Sequence, residues 1–119
     1  MFFKKQKGNV GEALATDYLK KKGYTILENN YSCPYGEIDI IAQIDKKIIF
    51  VEVKTRSSLR YGLPQEAINP FKQRHIENSA IHYLKKHKLI EKVSIRFDCI
   101  SILMNNELDY NIDHLEGIF

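Results

Sequence analysis

The sequence predicts one α/β domain, a mixed β-sheet flanked by helices, built in the order helix, three strands, helix, strand (αβββαβ). Three observations predict it. Two segments carry apolar residues at helical spacing, four are rich in β-branched and aromatic residues, and 119 residues have room for one core but not two. Residues 1–119 therefore read as a single domain, with no repeat, low-complexity segment or linker.

Taken in order, residues 9–22 form the first helix. Val10, Ala13, Leu14, Tyr18 and Leu19 recur at helical spacing, Asn9 stands in the N-cap position and Gly23 supplies the stop. "YTILENN" (24–30) reads as a strand and "SCPYG" (32–36) as a turn. "EIDIIAQI" (37–44) and "IIFVEVKT" (48–55) are strands separated only by "DKK", which is tight enough for an antiparallel hairpin. "SSLRYGLP" (57–64) is a loop. Residues 70–88 form a long helix with Asn69 as N-cap and Pro70 at the first position, turning Phe71, Ile76, Ala80, Tyr83 and Leu84 inward. "VSIRFDCISIL" (93–103) is a long apolar strand expected at the centre of the sheet, and the acidic tail adds a short strand or a helical turn.

The composition, 44% hydrophobic and 28% charged, is that of an ordinary globular domain. No apolar run approaches the ~20 residues that span a bilayer, and "MFFKKQKGNVGE" lacks the apolar stretch of a signal peptide. The expectation is a cytoplasmic protein with no membrane partner, its Cys33 and Cys99 free thiols. Charge is uneven beneath a net +3. Residues 1–25 carry six Lys against Glu12 and Asp17. Residues 54–75 carry Lys54, Arg56, Arg60, Lys72 and Arg74 against Glu66, and residues 97–119 hold five acids and no Lys or Arg. Such polarity suits a basic face turned to a polyanion.

The hairpin carries the chemistry. Strand side chains alternate, so Glu52 and Lys54 share one face while Val51 and Val53 share the other. By the same parity Glu37 and Asp39 lie together, with Ile38 and Ile40 opposite. Matching the apolar faces, with the turn centred between Asp45 and Lys46, places Asp39 opposite Glu52 and Glu37 opposite Lys54. Two carboxylates whose Cβ atoms stand roughly 4.5–5.5 Å apart repel, and a divalent cation resolves that repulsion. Mg²⁺ takes oxygen ligands from one or two carboxylates together with phosphate oxygens, and a lysine beside them suits a phosphate. That is the equipment of metal-assisted phosphodiester hydrolysis.

"GNVGEALATDYL", "GEIDIIA", "FVEVKTR", "RFD" and the closing Phe119 resemble the YraN family. That family belongs to the PD-(D/E)XK nuclease superfamily and is similar to archaeal Holliday-junction resolvases. The resemblance runs over essentially the whole chain and implies a restriction-endonuclease-like core. It implies that Asp39, Glu52 and Lys54 are the catalytic carboxylates and lysine, with Asp39 and Glu52 holding Mg²⁺ or Mn²⁺. It also implies that Glu12 matches an additional acid of the resolvases. Ile38 stands where the superfamily pattern has proline, and Gly36-Glu37 leads in instead.

Each residue also has a plainer reading. Glu12, three residues after Asn9, suits an N-terminal capping interaction. Glu37 suits a salt bridge to Lys54, and Asp98 one to Arg96 or a cap on the sheet end. Arg56, Arg60, Lys72 and Arg74 are candidate phosphate contacts, with Gln65 nearby. His75 and His82 share a helix face, but the four histidines show no zinc-ligand spacing. Two functions result. One is a metal-dependent endonuclease acting on DNA, including branched or structured DNA. The other is a non-catalytic nucleic-acid-binding or partner-binding module on the same fold. DNA is the expected partner, with a homodimer a further option.

Overall fold

A computed structural model describes residues 2–57 and 69–119, with side chains from Asn9 onward. The elements are α1 (Phe2–Lys21), β1 (Thr25–Cys33), β2 (Gly36–Ile44), β3 (Lys47–Arg56), α2 (Pro70–Lys86), β4 (Ser94–Asn106) and β5 (Asp109–Leu115). The strands lie side by side in the order β1-β2-β3-β4-β5. The β3–β4 pair, joined through α2, is parallel; the other three pairs are antiparallel. The α/β class and the αβββαβ order are thus those the sequence predicts, with β5 appended from the acidic tail.

The two sheet faces carry separate cores. Against α1 pack Ala15 and Leu19 with Ile40, Ala42, Ile49, Val51, Ile100 and Ile102. Against α2 pack Ile76, Ala80, Tyr83 and Leu84 with Ile38, Ile41, Ile48, Phe50 and Phe97. Residues 97–102 of β4 are buried on both faces, as a strand with a parallel partner and helices on both sides requires. β4 is nonetheless not the central strand, because β5 pairs beyond it and β3 takes the middle.

Local differences from expectation have physical reasons. α1 begins at Phe2, so Asn9 lies inside the helix and caps nothing. Gly8 costs a helix about 1 kcal/mol, which is too little to start a new element there. The far end is as expected, with Gly23 at φ +97°. In α2, Asn69 accepts from the Lys72 backbone N–H at 2.9 Å and Pro70 opens the helix. Phe71 is 64% exposed rather than inward. It precedes Ile76 by five residues, which turns it about 140° away from the buried stripe. The "SCPYG" turn contracts to Pro34-Tyr35, because Cys33 already pairs with Gly36 at φ +142°. Both cysteines are free thiols.

Candidate active site

β2 and β3 are joined by Asp45-Lys46, with Asp45 in the left-handed region at φ +54°. Their ladder pairs Ile44 with Lys47 and runs to Ile40 opposite Val51, the register expected from the turn. Beyond that pair the strands part company. The carboxylate of Asp39 accepts the Val53 backbone N–H at 2.8 Å, taking the place of a main-chain acceptor. At the same point β2 changes face. Ile40 packs under α1, but Ile38 packs under α2. Ile38 and Ile40 therefore do not share a face, which corrects simple parity: Asp39 sits where the strand twists.

Glu52 follows on β3, where Ile48 and Phe50 face α2. Its Oε1 receives Lys54 Nζ at 3.2 Å and Lys72 Nζ at 2.9 Å. Lys54 comes from the same strand two residues on, whereas Lys72 reaches in from the first turn of α2. Across the sheet, Glu12 approaches from α1. Gly11 makes this possible, since a Cβ there would collide with Thr55 Oγ1 and lie 3.1 Å from Thr55 Cβ.

The electrostatics match this crowding. Burial, and then the charge on Glu52, push the Asp39 carboxyl up to about 7, against the opposing Val53 hydrogen bond; Glu12 adds to the rise. Burial likewise raises Glu12, with Glu37 and Glu52 adding and an Asn30 hydrogen bond opposing. Burial lowers Lys54, and the neighbouring Lys72 lowers it further. For Lys72 burial works the same way, but its hydrogen bonds to Lys54 and Glu52 hold it above the ordinary lysine value. Partly buried acids and amines are thus forced together, each moving the other's proton affinity.

Asp39, Glu52, Lys54 and Glu12 accordingly meet in one neighbourhood. Glu37 does not pair with Lys54; it is exposed and accepts from Ser32 Oγ at 3.4 Å. Lys72, read from the sequence as a phosphate contact, lies against Glu52. The signal for this was its place three residues after the N-cap of α2, at the helix end nearest the hairpin. Arg56 ends β3 half-buried, with Nε lacking a hydrogen-bond partner among the described residues, and Arg74 is exposed on α2. Arg60 and Gln65 lie outside the described residues, as does the expected 57–64 loop apart from Ser57. His75 donates Nδ1–H to the Tyr35 carbonyl at 2.7 Å, and His82 Nδ1 hydrogen-bonds the Tyr31 hydroxyl at 2.6 Å, so both are engaged with β1 and its turn. Among the described residues, no three His, Cys, Asp or Glu side chains gather as a ready metal cage.

A family model described as uncharacterised protein family UPF0102 matches residues 11–102. The chain belongs to the UPF0102 family. A UPF0102 protein of Caldicellulosiruptor bescii is 50% identical over 103 residues, covering 87% of each chain. One from Geobacter metallireducens is 45% identical over 115 residues, 97% of this chain and 93% of the relative. One from Clostridium botulinum is 44% identical over 113 residues, 94% and 92% of the two. The UPF0102 match spans Glu12, Asp39, Glu52, Lys54 and Lys72, so every residue of the cluster lies within the family's shared segment. No described helix is long and apolar enough to cross a membrane.

Proposed function

We propose that this chain is a metal-dependent endonuclease that hydrolyses phosphodiester bonds in DNA, with branched or otherwise structured DNA as its substrate. One observation carries the reading: Asp39 and Glu52 meet where β2 leaves β3, with two lysines on the same carboxylate. The resemblance to PD-(D/E)XK nucleases supports it, since the acids and Lys54 fall at that superfamily's motif positions. The donor set fits a hard cation. Burial first, and then the charge on Glu52, keep Asp39 protonated up to about pH 7 without a cation, and oxygen ligands are what Mg²⁺ or Mn²⁺ takes.

Asp39 and Glu52 would hold the ion, which when bound supplies Lewis acidity and an acidified water. Lys54 places an ammonium beside Glu52, where it stabilises charge developing on a phosphoryl oxygen. Lys72 neutralises Glu52 from the other side and is positioned to turn to a phosphate. Glu12, with its raised proton affinity, orients or deprotonates a water. Arg56, at the end of β3, and Arg74, exposed on α2, are the further candidate phosphate contacts.

A second reading keeps the fold as a non-catalytic nucleic-acid-binding or partner-binding module. The observation favouring it is that two ammonium groups already neutralise Glu52. The test is cleavage of linear, flapped and four-way DNA by purified protein with Mg²⁺ or Mn²⁺. Wild type should cut and Asp39→Asn should not, although its DNA binding should survive. A wild-type protein that cuts no DNA form with either ion supports the module reading.

A further inference from the structure

A second surface lies along α2, away from the acid pair. Tyr35, at the β1–β2 turn, is 49% exposed and Ile81 is 43% exposed. Together with Asn78, His82, Lys85 and Lys86 they line an open cavity of about 690 Å³. We propose that this groove binds an unpaired DNA strand, with a base stacked on Tyr35 and the backbone held by Lys85 and Lys86. The inference rests on the nucleic-acid part of the reading above and narrows its substrate to DNA with a single-stranded portion.

Three features support this occupant. First, the platform is held in place. The His75 ring fixes the Tyr35 carbonyl, the His82 ring stands edge-on to the Tyr35 ring at 6.2 Å, and His82 is itself anchored to the Tyr31 hydroxyl. An aromatic ring kept half in solvent by such supports offers a face to stack on. In a duplex both faces of each base are covered by neighbours, so only an unpaired base can use it. Second, the cations suit a polyanion: Lys85 and Lys86 line the groove beside Asn78, and Lys86 reaches over the Tyr31 ring at 5.8 Å. Third, the groove and the candidate active site lie along the same helix. α2 carries Lys72 against Glu52 at its first turn and Lys85 and Lys86 at its last, about 20 Å further along at the helical rise. A strand leaving the acid pair along α2 passes Phe71, His75 and Tyr35 before it reaches the lysines.

The test is binding of a fluorescent 20-mer of deoxythymidine, in EDTA so that no cleavage occurs, beside a duplex of equal length. Tyr35→Ala should weaken single-strand binding about five- to 150-fold, the usual value of one base stack. Tyr35→Phe should bind within about twofold of wild type, because the ring remains. Duplex affinity should not respond to either change. Lys85→Ala and Lys86→Ala should each lower the log–log salt slope by about 0.7. Melting temperatures confirm that the variants fold. If Tyr35→Ala binds the oligonucleotide like wild type, or no single strand binds, the groove proposal is overturned and the surface is left to a protein partner. The two proposals fail separately. Tyr35-dependent binding without Mg²⁺-dependent cleavage removes the nuclease and keeps the groove; cleavage with Tyr35-independent binding does the reverse.

Discussion

A carboxyl pushed up to about 7 makes Asp39 a proton-binding site in the folded chain at pH values where the unfolded chain has released its proton. Between about pH 4 and pH 7 the folded state therefore binds more protons, so stability falls as pH rises through that window. Glu12, raised for the same main reason, acts in the same direction. The metal-free protein should accordingly melt at lower temperature near pH 8 than near pH 5, and Asp39→Asn should flatten that dependence. The substitution retains an oxygen to accept the Val53 N–H, so the strand junction survives. Added Mg²⁺ should restore wild-type stability most strongly above about pH 7, where Asp39 is ionised, and leave Asp39→Asn almost unmoved. Melting curves across pH with and without Mg²⁺ measure both effects. An equal slope in the variant would show that another group carries the titration.

α1 depends on one close approach: Gly11 lies against Thr55 of β3 with no room for a methyl group. Gly11→Ala gains about 1 kcal/mol of helix propensity but must push the helix off the sheet, and overpacking of this kind costs about 1–3 kcal/mol. The net change should be destabilising, with Glu12 carried away from Asp39 and Glu52. Gly11→Ala combined with Thr55→Ala should recover part of the loss, and urea melts of the four proteins in that cycle measure the coupling. Such contacts mark where sequence reading stopped. The β2–β3 register was legible because both strands are strongly patterned and the connection leaves one apolar match. The cap of α2 was legible because Asn69-Pro70 is a local signal. The start of α1 was not, since residues 2–8 hold no breaker stronger than Gly8. The packing of Ile38 and Ile40 on opposite faces was not legible either. That twist arises where β1 passes through Asn30 at φ +54° while Asp39 leaves the ladder, and both are tertiary events. The contact of Lys72 with Glu52 was not legible, because the two are twenty residues apart in sequence and meet only when α2 packs on the sheet.

At the scale of the molecule, the chain's charge polarity is partly consumed inside the fold. Two of the five acids in residues 97–119, Asp98 and Glu116, are bound by Arg96 at 2.8 and 3.3 Å. Asp98 is fully buried and takes four hydrogen bonds: two from Arg96, one from His114 Nε2 at 2.7 Å and one from the Gly117 N–H at 3.1 Å. Arg96 also donates to the Tyr24 hydroxyl. One carboxylate thereby ties β4 to β5 and to the segment after it, and through Arg96 to Tyr24 between α1 and β1. Burial alone would raise its proton affinity, but the bonds from His114, Arg96 and Gly117 outweigh it and hold Asp98 below the ordinary carboxylate value. The sign is opposite to that at Asp39. Asp98 contributes stability above about pH 4, and that contribution is lost as pH falls through its lowered value. Asp98→Asn keeps the shape, removes the charge and leaves Glu116 as the one carboxylate on Arg96 among the described residues. Breaking a buried pair from one side costs about 3–5 kcal/mol, a large part of the 5–15 kcal/mol that holds a domain of this size. Urea melts at neutral pH should show that loss, hydrogen exchange should show β5 opening first, and the variant should lose less stability than wild type as pH falls below about 4. A cost below about 1 kcal/mol would mean that the apolar contacts of β4 suffice to hold β5 in register.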